Sequence, residues 1–181
     1  QYDGRVSDAH ADLESFLYDR LSGYLRDAGY TTLEVDSVVS LRPEKIHLAP
    51  RQLEAVRAFS KLPEAESLAA ANKRVANILR QAAAKGESFT SAEPAKLKEP
   101  AERELYSALA ITASNAKGLY ERGDFTGFLQ TFAALKGPVD AFFDTVMVMA
   151  EDRELRRNRL ALLAELRSEM NRVADIAKLA A

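Results

Sequence analysis

Four polar side chains recur along one stretch of the chain at spacings that place them on the outside of a helix. If Leu68, Val75 and Leu79 face a core, the helical period turns three cations and one amide outwards. This set consists of Lys73, Arg74, Asn77 and Arg80. Lysine and arginine bind phosphate groups, and an asparagine amide can hydrogen-bond to a base edge. The pattern favours a nucleic-acid-binding face, although an ordinary solvated helix face has the same composition.

A second cationic group opens the last predicted helix. It comprises Arg153, Arg156 and Arg157, and Asp152 before them is a suitable N-cap. The positive end of the helix dipole disfavours cations there by about 0.3–1 kcal/mol each, so local stability does not explain them. Positive charge at a helix N-terminus favours an anion such as an RNA backbone. We therefore predict that the fold brings both cationic groups side by side to bind a polyanion.

Arg159 has a different predicted role from the arginines before it. If Leu155, Leu162 and Leu166 are buried, the helical period turns Arg159 towards the core. A buried guanidinium needs an acidic partner. We expect Arg159 to pair with an acid such as Asp140 or Asp144.

Residue types needed for catalysis are scarce. The chain lacks cysteine, which excludes disulfides, thiolate metal sites and cysteine nucleophiles. It also lacks a Gly-rich phosphate loop, a Gly-x-Ser-x-Gly nucleophile motif and a histidine-carboxylate cluster with metal-ligand spacing. We predict no catalytic, cofactor-binding or metal-binding residue.

Charge is unevenly distributed along the chain. The formal net charge of −2 argues against a protein whose whole surface is basic. Residues 72–85 nevertheless contain four cations and no acid, and residues 153–159 contain four arginines and one glutamate. Local charge, rather than net charge, therefore indicates where an anionic partner would bind.

Apolar residues at spacings of three and four dominate the chain, and sustained strand-type alternation is absent. This pattern predicts an all-α bundle of about seven to eight helices. The expected helices span residues 7–28, 31–41, 50 onwards, 63–85, 100–121, 124–135, 138–149 and 153–179. Ser7 is the expected first N-cap, and the first helix is expected to carry one apolar face made of Leu13, Phe16, Leu17, Leu21 and Leu25.

Connections in the second half are predicted to be short. Arg122-Gly123 and Lys136-Gly137 fit tight turns between helices. Residues 87–99 are polar and aperiodic, which predicts a surface loop, with Phe89 pinning it to the bundle. The bundle centre is expected to contain five aromatic residues: Phe125, Phe128, Phe132, Phe142 and Phe143.

Length and composition allow one large domain with a helical lead-in. The 47% of hydrophobic residues are enough for a core, and we divide the chain into a lead-in at 1–48 and a domain at 49–181. Gln1 at the first position suggests a fragment of a longer protein. No apolar run approaches the roughly 20 residues that span a bilayer, so we expect a cytoplasmic protein without a membrane partner.

Several segments resemble one protein family. They are FLYDRLSGYLRDAGY at 16–30, AVRAF at 55–59, AAANKRVANIL at 69–79, PVDAFFDTVMVMAEDRELRRNRLALLAEL at 138–166, and VADIAKL at 173–179. Together they resemble the C-terminal region of bacterial glycyl-tRNA synthetase beta subunits, which contains a DALR-type anticodon-binding domain. Two departures are Ala177, where the family suggests a serine, and the absence of a literal DALR tetrapeptide.

This resemblance implies a role in tRNA binding. A fragment of this kind grips the anticodon stem-loop of glycine tRNA, while a separate alpha subunit holds the class II aminoacylation site. The fragment is then non-catalytic, and ATP with magnesium belongs to the whole ligase. The resemblance implies that both cationic groups bind RNA. They are Lys73, Arg74, Asn77 and Arg80, and Arg153, Arg156 and Arg157. The alternative is a helical module whose basic groups contact an acidic protein or a sister subunit during assembly.

Overall fold

The computed structural model describes residues 8–180, with side chains from residue 12 onwards. This part of the chain forms helices α1 (Asp8–Asp27), α2 (Thr32–Val39), α3 (Ala49–Phe59), α4 (Ala65–Ala84), α5 (Pro100–Glu121), α6 (Phe125–Thr131), α7 (Lys136–Thr145) and α8 (Arg153–Met170). Short 3-10 segments span Ile46–Leu48, Pro94–Lys96, Phe132–Leu135 and Ile176–Leu179. No strand occurs within residues 8–180. The predicted all-α fold is confirmed.

Aromatic side chains fill the centre of the bundle, where α5, α6 and α7 meet. Phe128, Phe132 and Phe142 are fully buried, and the ring centroids of Phe128 and Phe132 are 5.0 Å apart. Tyr120 of α5 adds a tilted ring contact to Phe128 at 5.6 Å. Phe143 was expected here too, but its side chain is only partly buried at the edge of the core. Adjacent helical residues point about 100° apart, so Phe142 and Phe143 cannot share one direction.

The connection between α6 and α7 differs from the prediction. A tight turn was expected at Lys136-Gly137, but α7 already begins at Lys136, directly after the 3-10 segment Phe132–Leu135. Pro138 fits the first turn of α7 because the first N–H groups of a helix need no intrahelical acceptor. At its other end α7 stops at Thr145, since Val146 adopts an extended conformation and is buried.

Helix α8 ends at Met170, nine residues before the predicted end at Leu179. Asn171 terminates it with a local side-chain interaction, because its Oδ1 accepts a hydrogen bond from the Ile176 backbone N–H at 3.0 Å. The chain then turns back across α2, where the Asp175 N–H donates to the Ser37 carbonyl at 2.7 Å. The C-terminal segment therefore packs on the region assigned to the lead-in. The division at residues 48 and 49 stays a prediction.

Among the side chains of α1 that the structure describes, those packed against the core lie in its C-terminal half. Leu25 is buried, whereas Leu13, Phe16 and Leu17 are 56%, 59% and 47% exposed. The predicted apolar face of α1 is therefore only partly covered, although Glu14 in its first half reaches Arg42 at 3.5 Å. Ser7, the expected N-cap, lies outside the described residues.

Candidate nucleic-acid interface

Helix α4 presents one of the two predicted cationic groups to solvent. Leu68 and Val75 are buried at 1% exposure, and Ala82, about two helical turns after Val75, is buried as well. The opposite face therefore points outwards, and its four candidate residues are all exposed: Lys73, Arg74, Asn77 and Arg80. We call this set the α4 face. The prediction that these side chains lie on the outside of the helix is confirmed.

Three contacts hold the side chains of the α4 face in defined positions. The Arg80 guanidinium donates to Asn77 Oδ1 at 2.9 Å, one helical turn away. Arg74 lies over the ring of Phe143 from α7, with its guanidinium carbon 4.2 Å from the ring centroid. Lys73 Nζ donates to the Ala180 carbonyl at 3.3 Å. The face therefore consists of partly ordered donors rather than freely rotating side chains.

Helices α4 and α8 pack against each other in opposite directions. Buried Asn72, near the middle of α4, accepts a hydrogen bond from the Asn171 side chain at 3.0 Å, just beyond the end of α8. At the other end, Glu87 just after α4 bonds to Arg156 in the first turns of α8. The C-terminal end of α4 and the N-terminal end of α8 therefore lie at the same end of the molecule. Asn72 is a buried, internally bonded amide, as its position in the sequence predicts.

The start of α8 has the predicted cap but an unexpected set of internal contacts. Asp152 accepts a hydrogen bond from the Leu155 N–H at 3.0 Å, which confirms it as the N-cap. Arg156 bonds to the Glu87 carboxylate at 2.7 Å and to the Ala150 carbonyl at 2.7 Å. Its side chain is 19% exposed. These oxygens offset the unfavourable dipole at the helix start, so a bound anion is not required to explain this arginine.

Arg153 and Arg157 differ from Arg156 in exposure. Arg153 is exposed, and the Arg157 side chain is 42% exposed. Arg157 donates to the Ser88 carbonyl at 3.0 Å and lies 3.8 Å from Glu154 in a loose surface ion pair. Of the three arginines in the second cationic group, Arg156 therefore offers the least guanidinium surface to a ligand.

The segment after α4, residues 87–97, is held along α8 by hydrogen bonds. Beside the two arginine contacts, the Glu93 N–H donates to Asn158 at 2.7 Å, and the Ala92 N–H donates to Glu165 at 2.8 Å. Ala92 and Leu97 are buried, and Phe89 packs against the core as predicted. We call residues 87–97 the clamped segment. Its aperiodic sequence gives no sign of this attachment, because the partners lie on a distant helix.

Lys96 adds a charged contact between the clamped segment and α8. Its ammonium group lies 3.1 Å from Glu154 and 2.7 Å from Glu93. The hydrogen bond from Lys96 lowers the pKa of Glu154, while the bond to Glu93, followed by that to Glu154, raises the pKa of Lys96. Both groups are solvated, so this network adds little stability.

Arg159 is buried as predicted, but its partner is a different acid. It bonds to Glu102 of α5, a residue with 0% exposure, and donates to the Met147 carbonyl at 2.8 Å. The second Glu102 oxygen accepts the Lys98 and Glu99 N–H groups. Asp140, one of the expected partners, instead binds Lys136 at 2.6 Å, and that hydrogen bond lowers the pKa of Asp140.

Phe143 is a functional candidate that the sequence analysis assigned to the core. Its ring supports the Arg74 guanidinium, a favourable cation-π geometry. The signal that could have identified it is the Phe142-Phe143 pair, because one of two adjacent helical residues must turn away from the core centre.

Among the described residues, no group of three or more His, Asp or Glu side chains could hold a metal ion. No helix between residues 8 and 180 has the length and apolar character that crossing a membrane requires.

Comparison with known proteins supports the resemblance inferred from the residues. Residues 68–179 match the family model described as "DALR anticodon binding domain", a stretch that contains both cationic groups and the clamped segment. The chain is 56% identical over 178 residues to the "Glycine--tRNA ligase beta subunit" of Thiobacillus denitrificans, covering 98% of this chain and 25% of that protein. Identity is 53% over 176 residues to the protein of the same name from Acidovorax sp. strain JS42, with 97% and 24% covered.

The chain thus spans about a quarter of the length of these relatives. The predicted resemblance to glycyl-tRNA synthetase beta subunits is confirmed. The family match covers more than half of the chain, including α5 to α8 and most of α4. The chain therefore belongs to the family of DALR anticodon binding domains.

Proposed function

We propose that this chain is the tRNA-binding part of a glycine-tRNA ligase beta subunit and that its α4 face contacts the anticodon stem-loop of glycine tRNA. The observation that carries the proposal is the exposed, acid-free run of donors at Lys73, Arg74, Asn77 and Arg80 within the matched family region. Such side chains bind phosphates and the exposed edges of unpaired bases. We name glycine tRNA as the ligand because the relatives are called glycine-tRNA ligase beta subunits.

The arginines of α8 take different parts in this proposal. Arg153 and Arg157 are accessible and extend the RNA-binding surface at the shared end of α4 and α8. Arg156 acts mainly by holding the clamped segment through Glu87. In the whole enzyme, an alpha subunit would hold the aminoacylation site and would use ATP with magnesium. The enzyme would act in the cytoplasm.

Binding to the stem-loop should depend strongly on salt. Three cations of the α4 face on single-stranded RNA give a slope of about −2 in log affinity against log salt, or about twentyfold weaker binding between roughly 50 and 200 mM salt. Fluorescence anisotropy with a labelled anticodon stem-loop measures this dependence for the 181-residue chain. Absence of binding at low salt, or binding that salt does not weaken, would contradict the proposal.

A charge-matched pair of double variants tests where the RNA binds. Arg74→Glu with Arg80→Glu should weaken binding by about tenfold or more, because phosphate contacts become repulsions. Lys61→Glu with Lys117→Glu changes the net charge equally at exposed sites outside the α4 face and should have a much smaller effect. Equal losses in both variants would indicate nonspecific attraction instead of a defined RNA surface.

Assembly with another protein chain is the second candidate function, and the exposed residues of α1 favour it. Leu13, Phe16 and Leu17 share an uncovered apolar face, and contiguous exposed apolar surface marks interaction sites. In a reconstituted ligase, Phe16→Asp should impair subunit association if assembly uses α1, whereas the α4 double variant should impair tRNA binding alone. If the α4 double variant abolished subunit association instead, the α4 face would be an assembly surface. The proposal that it binds RNA would then be wrong.

A further inference from the structure

We infer that Arg74 and Asn77 form a reading site for one unpaired base, in which the base stacks on Arg74 and Asn77 donates to its edge. This inference rests on the RNA binding proposed above and adds which residues determine base specificity. Contacts with Phe143 and Arg80 fix the two side chains.

The stacking surface is the Arg74 guanidinium supported by Phe143. Their separation of 4.2 Å between guanidinium carbon and ring centroid is a close stack, and Phe143 is anchored at the edge of the core. The ring covers one side of the guanidinium, while the Arg74 side chain remains exposed. Unpaired RNA bases stack on guanidinium planes of this kind. An arginine already held by a ring loses less side-chain freedom when a base binds.

The hydrogen-bond polarity of Asn77 follows from its bond with Arg80. A guanidinium can only donate, so the atom 2.9 Å from Arg80 must be the carbonyl oxygen of the Asn77 amide. The amino group of Asn77 therefore points away from Arg80. With lysine and arginine as its neighbours, the outward surface of the α4 face presents donors at every candidate position.

Helix geometry places the two parts of the site within reach of one base. Arg74 and Asn77 are three residues apart on α4, a spacing that puts their Cβ atoms about 5–6 Å from each other. A base stacked on Arg74 can then turn its edge towards the Asn77 amino group. A donor in this position requires an acceptor on the base.

Cytosine is the base whose Watson-Crick edge best fits this polarity. It carries two adjacent acceptors, O2 and N3, so the Asn77 amino group meets an acceptor at either atom. Uracil has an N–H donor between its acceptors O2 and O4, and guanine has an N–H donor beside O6. An amino group directed at the centre of the edge therefore meets an acceptor on cytosine but a donor on uracil and guanine. Adenine offers a single acceptor, N1, beside its exocyclic amine. Leaving a donor unpaired is costly and produces specificity.

The test compares stem-loops that differ only in the loop bases. Anisotropy titrations of the 181-residue chain would use loops with two adjacent cytosines and loops with uridines in their place. Wild type should prefer the cytosine loop, and Asn77→Ala should reduce that preference by about fivefold or more while leaving the affinity for the uridine loop nearly unchanged. Asn115→Ala, which removes an exposed amide on α5, is the matched control and should alter neither value.

A second variant inverts the predicted polarity. Asn77→Asp keeps the side-chain shape but presents an acceptor to the centre of the base edge, where uracil has N3–H and cytosine has the acceptor N3. The ratio of affinities should therefore shift towards uridine even though the added charge weakens binding to both loops. If wild type binds both loops equally, or if Asn77→Ala keeps the full cytosine preference, the reading site is wrong while RNA binding by the chain stands. If wild type binds neither loop, both the reading site and the proposed RNA binding are wrong.

Discussion

At the scale of single residues, Arg159 and Glu102 form a buried charged pair that joins α8 to α5. Glu102 accepts hydrogen bonds from Arg159 and from two backbone N–H groups at the start of α5, while Arg159 also reaches the Met147 carbonyl. The Arg159–Glu102 pair thus connects the start of α5, α8 and the loop between α7 and α8. Buried charges are tolerated only when they are paired and hydrogen-bonded in this way.

Glu102→Ala should therefore destabilise the protein strongly. Removing the carboxylate leaves the Arg159 charge buried without its partner, and we expect a loss of about 3–5 kcal/mol in the free energy of unfolding. Urea denaturation followed by circular dichroism measures this loss. Glu104→Ala, at an exposed position of the same helix, should stay within about 0.5 kcal/mol of wild type. Similar stabilities for the two variants would show that the buried pair is not essential.

At the scale of elements, α8 serves as the support for the clamped segment. Its side chains bind the segment at intervals through Arg156, Arg157, Asn158 and Glu165. The segment directly follows the C-terminal end of α4, so this attachment also defines where the α4 face ends. The cationic start of α8 thus has a structural role beside the proposed RNA contact.

Arg156→Ala should release the first part of the clamped segment. The lost hydrogen bonds involve charged groups worth about 1.5–3 kcal/mol, so amide hydrogens near Glu87 should exchange about tenfold faster or more. Hydrogen exchange read by mass spectrometry over residues 86–98 measures this effect. Arg153→Ala removes an exposed arginine from the same helical turn and serves as the control. Unchanged exchange in Arg156→Ala would mean that Asn158 and Glu165 hold the segment without it.

At the scale of the whole molecule, buried Val35 and Val38 join α2 to the bundle, and polar contacts of Glu34 add to this attachment. Glu34 forms a capping box with Thr31 at the start of α2 and an ion pair with Arg57 of α3 at 2.9 Å. The hydrogen bond from Arg57 is the main cause that lowers the pKa of Glu34, while burial opposes it. This pair attaches α2 to α3, beside the surface where the C-terminal segment packs.

Acid should weaken the folded protein partly through Glu34. Because its pKa is lower in the folded state, its contribution is present above the unfolded value near 4.5 and is lost as pH falls through the folded pKa. Glu34→Gln keeps a capping-box side chain but cannot ionise. Denaturation between about pH 6 and 3 should therefore show a shallower loss of stability in Glu34→Gln than in wild type. Parallel pH profiles would contradict this assignment.

Much of the fold was predictable from local patterns. Apolar spacing located the helices, and it turned Lys73, Arg74, Asn77 and Arg80 outwards because helical periodicity is a property of neighbouring residues. Errors arose where a local pattern competed with a distant contact. The α7–α8 connection became extended to bury Val146, and α8 stopped where Asn171 could bond to both Ile176 and Asn72.

The sequence by itself determined the all-α class, the outward direction of the α4 face and the family resemblance, because short-range spacing and motif identity carry that information. Tertiary structure alone decided which cations are engaged. Arg156 and Arg157 meet Glu87 and Ser88 at a separation of 69 residues, and Arg159 meets Glu102 at 57. Pairing over such separations depends on how the helices pack. The same packing places Phe143 under Arg74 and so creates the proposed reading site.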